Sequence, residues 1–205
     1  MAIDTVAYDI GNVLIEWDVR ALYLKVFEDP AEMEWFLSEV WRPVDNFRCD
    51  RGEPFATVIA ERAEAHPAYA DHLDLAWDRW IETVPGPVDG ALRIVEQLAA
   101  RGVRLYGLSN FSAETFPLVR HEYPVIALLN EVLISGEHAP MAKPDAEFFD
   151  LLCQRSDRSP EQILFVDDMG LNTEAAAALG FAVHTFTDSE SWAAALIEHG
   201  LLPPK

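Results

Sequence analysis

Val6-Ala7-Tyr8-Asp9-Ile10-Gly11-Asn12-Val13-Leu14 is the stretch on which the fold of this chain turns. A short apolar run, Val6 to Tyr8, ends in one aspartate, and a Gly-Asn turn and a second apolar pair follow. A buried strand that stops at a carboxylate before a tight turn presents a reactive group at the edge of a parallel sheet. Alone, such an aspartate is more simply read as the cap of its turn. Asp9 becomes a candidate nucleophile only if distant stretches supply partners for it.

Outward from this stretch, residues 5–10 read as a strand buried on both faces. Residues 19–84 carry no strand pattern. Helical spacing runs through 19–28 (Leu22, Val26, Phe27), 30–41, 54–65 and 68–83 (Leu73, Trp77, Trp80, Ile81). Arg42-Pro43 breaks the pattern, and 44–53 reads as an irregular loop between helices. Beyond Pro85-Gly86-Pro87 the period changes. Strands are predicted over 103–108, 131–134, 163–166 and 181–184, and helices over 88–100, 112–121, 145–155, 173–179 and 189–199. Strands alternating with helices imply right-handed crossovers and a parallel sheet with helices on both faces. The expected architecture is α/β: a Rossmann-like core, residues 1–16 and 86–205, interrupted by a four-helix cap, residues 17–85. An insert directly after the first strand overhangs the sheet's C-terminal edge, where ligands bind in such folds.

Half of the 205 residues are hydrophobic, enough for a sizeable core. Fifteen Lys and Arg against 35 Asp and Glu give a formal charge of -20, which argues against nucleic acid and anionic membranes as partners. An anionic substrate would need a local source of positive charge. Cys49 and Cys153 show no metal spacing and read as free thiols of a reducing compartment. The N-terminal residues have no basic, apolar leader pattern and no segment holds 18 uninterrupted apolar residues, so a soluble cytoplasmic protein is expected. Both a monomer and a homodimer remain open.

Three apolar runs end in polar residues: at Asp9, at Ser109-Asn110 and at Asp167-Asp168. In a parallel sheet those ends share one edge. Lys143 comes between the second and third, just before a proline and a helix. Singly, Ser109-Asn110 reads as a helix cap and Lys143 as a solvated lysine. Two adjacent carboxylates at the end of a buried strand are harder to dismiss, because their repulsion costs energy unless a cation offsets it.

The order Asp9-x-Gly-Asn-Val-Leu, Leu108-Ser109-Asn110, Lys143-Pro144 and Phe165-Val166-Asp167-Asp168-x-x-x-Asn172 resembles the four motifs of the haloacid dehalogenase-like hydrolases. The helical insert is similar to that superfamily's C1-type cap. The Gly-Asn-Val form of the first motif resembles a bacterial subgroup of sugar-phosphate phosphatases acting on glucose 1-phosphate. The resemblance implies a Mg²⁺-dependent phosphatase of small phosphorylated metabolites, sugar phosphates favoured. Asp9 would attack phosphorus and form an aspartyl-phosphate. Mg²⁺ would be held by Asp9, the Gly11 carbonyl and Asp168, with Asp167 close by. Ser109 and Asn110 would meet the phosphoryl group, and Lys143 would neutralise charge on it and on Asp9.

One position departs from the family's phosphatases, which carry a second aspartate two residues after the nucleophile as general acid and base. Here that residue is Gly11. Such help is worth about 10²–10⁴ in rate. Either the leaving group needs no proton, or another group supplies it, for which Glu16 and Asp18 lie nearest in sequence, or the protein is a non-catalytic binding member. A 2-haloacid dehalogenase also lacks the second aspartate, but it has small neutral residues where Asp167-Asp168 stand. Asn46 and Arg48, with Arg51, are the cap's candidate substrate contacts. Trp35, Trp41, Trp77 and Trp80 read as cap core.

Overall fold

A computed structural model describes residues 2–204. Five strands, β1 Thr5–Tyr8, β2 Arg104–Ser109, β3 Glu131–Ile134, β4 Ile163–Asp167 and β5 Ala182–Thr185, form one parallel sheet in the order β3-β2-β1-β4-β5. The first strand is therefore central. Tyr8 pairs in register with Gly107 of β2 and with Val166 of β4. That register brings the ends of the three middle strands out side by side, each at its first polar residue. Gly107 is required by the packing, since a Cβ there would lie 2.8 Å from a Val132 methyl of β3.

Alternation along each strand sends side chains to two covered faces. Val6, Tyr8, Leu164 and Val166 pack toward α6 Ala91–Ala100 and α11 Ser189–Glu198, where the Tyr8 ring meets Trp192 edge-on at 5.8 Å. Ala7, Leu108 and Phe165 pack toward α9 Ala146–Ser156 and α10 Gly170–Ala178, where Phe149 meets Phe165 edge-on at 5.4 Å. Two short helices, α7 Phe116–Glu122 and α8 Pro124–Ala127, lead from β2 to β3. The architecture is the α/β parallel sheet with helices on both faces.

Between β1 and α6 the chain is helical: α1 Arg20–Tyr23, α2 Pro30–Trp35 continued by a π-helical turn Phe36–Val40, α3 Pro43–Asp50, α4 Phe55–Ala65 and α5 Ala70–Asp78. Asp29 caps α2 through the Ala31 N–H, with Pro30 at the first helical position. Tyr23 against Phe36 (4.8 Å) and Trp41 against Phe55 (6.1 Å) anchor its interior.

Residues 44–53 are not a loop, because α3 occupies most of them. Pro43 starts it, and the Asp45 carboxylate accepts the Arg42 backbone N–H at 3.0 Å and two Arg42 side-chain bonds at 2.9 Å. Its polar residues are satisfied by one another, which the composition of the stretch conceals. Trp41 and Trp80 are buried as expected, but Trp35 and Trp77 are 44% and 42% exposed. Cys49 and Cys153 are free thiols. Among the described residues no helix is long and apolar enough to cross a membrane.

Candidate active site

Asp9 lies one residue past β1, held by its own N–H on the Val166 carbonyl (2.9 Å). Its Oδ1 accepts from the Ile10 N–H (2.7 Å), the Ser109 hydroxyl (2.6 Å) and Lys143 Nζ (3.0 Å). The following turn needs a left-handed residue at position 12, where Asn12 has φ 55°. Asparagine tolerates that region because its short side chain bonds locally. The Asn12 Oδ1 accepts the Trp17 N–H at 2.9 Å, and its Nδ2 lies 3.4 Å from Asp168 Oδ2. The turn thus ties the Asp9 loop to Asp168.

Ser109 ends β2, and Asn110 follows. The Asn110 carboxamide grips the backbone of Lys143 twice, donating to its carbonyl and accepting from its N–H, each at 2.8 Å. Asn110 therefore sets where Lys143 enters the site. The Lys143 ammonium is 1% exposed and reaches Asp167 Oδ2 at 2.6 Å as well as Asp9. Asp167, fully buried, also accepts from the Met169 N–H (2.8 Å) and the Asn172 amide (3.0 Å). The carboxylate of Asp168 remains toward the cavity with Asp9 and Gly11.

One carboxylate oxygen from each of Asp9, Asp167 and Asp168 lies within 4.8 Å of the others. Three carboxylates against one ammonium leave two negative charges uncompensated when all are ionised. Burial raises the Asp9 carboxyl above the ordinary range, opposed by Lys143 and reinforced by Asp167. Burial, then Asp167, also raises Asp168. For Lys143, burial favours the neutral form, but Asp9 and Asp167 outweigh it and hold the amine protonated. A divalent cation would supply the missing charge and reverse both carboxyl shifts. Hard oxygen donors of this kind suit Mg²⁺.

Above the edge lies a cavity of about 190 Å³. The core side contributes Asp9, Gly11, Ser109, Asn110 and Asp168, and the helical insert contributes Asn46, Asp50 and Trp80. Trp17, Phe111, Ile15 and Met169 make the rest of the wall largely apolar.

Of the residues singled out in the sequence, Asp9, Gly11, Asn46, Ser109, Asn110 and Asp168 line this cavity, and Lys143 and Asp167 complete it from the buried side. Arg48 does not join them. It pairs with Glu53 (2.6 Å) and Glu61 (2.7 Å) within the insert, because those carboxylates lie closer than the cavity. Arg51 is taken by Asp145 (2.6 Å) and the Pro140 carbonyl (3.0 Å). Glu16 and Asp18 are exposed and lie outside the cavity lining, and Asp18 accepts the Arg20 N–H at the start of α1. The residue that sequence reasoning missed is Asp50, at the end of α3. Nothing local distinguishes it from the other acidic residues, and only the docking of the insert brings it to the site.

Several known proteins share this arrangement of chain. The sequence is 25% identical over 182 residues to drimenol cyclase drtB of Aspergillus calidoustus, an overlap of 84% of this chain and 32% of that protein. It is 31% identical over 96 residues to the sesquiterpene phosphatase astK of Aspergillus oryzae, an overlap of 47% and 48%. The chain thus spans about a third to a half of these relatives' lengths. A haloacid dehalogenase-family enzyme of Bacteroides thetaiotaomicron, solved with magnesium and inorganic phosphate, superposes with a TM-score of 0.67 at 21% identity over 95% of this chain and 99% of that one, a likeness of fold. The family model of the haloacid dehalogenase-like hydrolases matches residues 3–180, and with that match, sheet order and strand-end residues in agreement, the chain belongs to this hydrolase family.

Proposed function

We propose that the chain is a Mg²⁺-dependent phosphatase of small phosphorylated metabolites that works through an aspartyl-phosphate on Asp9. The observation that carries this reading is the charge balance at the sheet edge, where Asp9, Asp167 and Asp168 face Lys143 alone. An edge so short of positive charge takes a divalent cation. A 2-haloacid dehalogenase attacks an uncharged carbon and has no use for that ion. Asp9, Asp168 and the Gly11 carbonyl would hold Mg²⁺. Asp167, whose carboxylate already serves Lys143 and Asn172, keeps the ammonium in place. When bound, the ion supplies the positive charge that lets an anionic nucleophile approach a phosphate. Ser109 binds a phosphoryl oxygen, and Lys143 balances charge on Asp9 and the phosphate as the P–O bond breaks.

Residues 17–85 act in this reading as the cap that selects the organic part of the substrate. Sugar phosphates are the favoured class, since Trp17 and Trp80 offer aromatic faces and Asn46 an amide for a hydroxyl. The phosphate of a small apolar alcohol is a second class, supported by Ile15, Phe111 and Met169 in the wall and by the likeness to a sesquiterpene phosphatase.

Phosphate release from p-nitrophenyl phosphate, measured with Mg²⁺ and again with EDTA, tests the reaction: activity appears only with the metal. Asp9→Asn removes turnover while thermal denaturation still shows a folded protein. Chloride release from 2-chloropropionate without metal, in place of phosphate release, would overturn the reading. A panel of hexose phosphates against short prenyl phosphates then separates the two substrate classes.

A further inference from the structure

Asp50 is half-buried and faces the cavity with no cation beside its carboxylate among the described residues. It sits at the last turn of α3 and lines the cavity that Asp9, Ser109 and Asp168 also line. Its carboxylate accepts from the Asn46 amide at 3.0 Å. It has no cation within salt-bridge distance among the described residues, and the neighbouring arginines are committed elsewhere, Arg51 to Asp145 and Arg48 to Glu53 and Glu61. The core side adds Asp9, Asp168 and the ammonium of Lys143, which is already held between Asp9 and Asp167. The segment after β2 adds Glu114, whose carboxylate takes the Phe55 N–H at 2.8 Å.

The end of α3 is clamped onto the core at several points. The Asp50 carbonyl accepts the Ser135 hydroxyl, and Arg51 reaches the Pro140 carbonyl. Gly52, at φ +91°, passes so close to the core that a Cβ would lie 2.9 Å from the Ala139 Cβ. These contacts fix the backbone of residues 50–52 against the core, so that Asp50 lines the same cavity as Asp9.

We propose that Asp50 is the general acid and base of the reaction, the group that takes over from the side chain missing at Gly11. This rests on the phosphatase reading above. In the first half-reaction the Asp9 carboxylate forms a bond to phosphorus and the P–O bond to the organic group breaks. The Asp50 carboxyl gives its proton to the departing oxygen, which leaves as the alcohol, and Asp50 becomes a carboxylate. In the second half, water attacks phosphorus and the P–O bond to Asp9 breaks. The water's proton returns to Asp50, phosphate leaves, and both groups are restored. The electrostatics agree with the geometry: burial, with the charge of Asp9 adding to it, pushes the Asp50 carboxyl up to about 8. A group protonated at neutral pH and near its titration point is suited to give and retake a proton.

The test is the dependence of kcat/KM on the leaving group, with Mg²⁺ present, because this ratio reports the steps up to departure of the alcohol. For the wild type, kcat/KM changes little between aryl and alkyl phosphates. For Asp50→Asn it falls by about 10²–10⁴ with an alkyl phosphate and by less than about tenfold with p-nitrophenyl phosphate, whose phenolate departs without a proton. The amide keeps an oxygen for the Asn46 bond, and thermal denaturation checks that the variant is folded. Equal losses on both substrates, or no loss on the alkyl phosphate, overturn the proposal. A steep fall from aryl to alkyl phosphates in the wild type overturns it without any variant. Wild-type protein that releases no phosphate from either substrate overturns the phosphatase reading itself.

Discussion

The two ends of helix α3 each carry a carboxylate, buried at the first turn and half-buried at the last, and they treat it in opposite ways. At the first turn Asp45, fully buried, is met by Arg42 at 2.9 Å, by Arg62 at 3.5 Å and by Arg48 at 3.8 Å. Burial alone would raise its pKa, but Arg42 first and then Arg62 hold it below the ordinary carboxylate range. At the last turn Asp50 has the Asn46 amide as donor, no cation and Asp9 nearby, and its pKa rises to about 8. A carboxylate that serves the fold is surrounded by positive charge. One left short of it next to another carboxylate costs stability, and such sites gather where proton transfer is needed. One end of the helix thus pairs its carboxylate with arginines, and the other leaves it facing the cavity.

The largest expected effect puts the missing acid back at the core. A Cβ added at Gly11 meets only the Trp17 Cβ, at 3.9 Å, and its φ lies outside the left-handed region. Gly11→Asp in the Asp50→Asn background is expected to recover at least about a hundredfold of the lost kcat/KM on alkyl phosphates. Failure of that rescue, with both variants folded, would break the assignment of Asp50 as the substitute acid. Next comes the structural end. Asp45→Asn strips the charge from a cluster of three arginines and is expected to cost about 3 kcal/mol, read from chemical denaturation, the low end for a broken buried pair because Arg42 stays partly solvated. A variant as stable as the wild type would erase the contrast.

The pH dependence of stability sharpens it further. The lowered pKa of Asp45 contributes stability that is present above about 4 and is lost as pH falls through the folded-state value. The raised pKa of Asp50 does the reverse: the folded protein holds a proton that the unfolded chain releases, so stability is lost as pH rises from about 4 to about 8. In metal-free protein, Asp50→Asn is therefore expected to raise Tm at pH 8 and to change it little at pH 4. A Tm that does not rise at pH 8 would remove the electrostatic support for Asp50. The smallest effect belongs to Arg48→Ala, which breaks part-exposed pairs with Glu53 and Glu61 and a long 3.8 Å contact with Asp45 that leaves Arg42 and Arg62 in place, and it is expected to cost about 1 kcal/mol or less with KM unchanged. A raised KM would return Arg48 to the site.

Much of the core was legible from residues 5–9 and the stretches that match them. Apolar runs that stop at Asp9, Ser109 and Asp167 mark strand ends, and short crossovers leave a parallel sheet as the packing that covers both faces. Asn110 was legible as a site residue but not its task, since its amide bonds to a backbone 33 positions away. The segment 44–53 was misread because loop-like polar residues there satisfy one another across turns of a helix. Glu16 and Asp18 were the nearest acids to Gly11 along the chain, yet they stand at the surface.

The chain alone thus determined the sheet, the helical insert after the first strand and the partners of Asp9 at strand ends. These follow from local periodicity and from the rule that neighbouring parallel strands expose their ends along one edge. Which group of the insert meets that edge was decided only by the tertiary structure. Arg51 bonds to Asp145, 94 residues away, Ser135 holds the Asp50 carbonyl, and Gly52 allows the close approach to Ala139. Those contacts depend on how two surfaces dock, and docking brings together residues that have no periodic relation in the sequence.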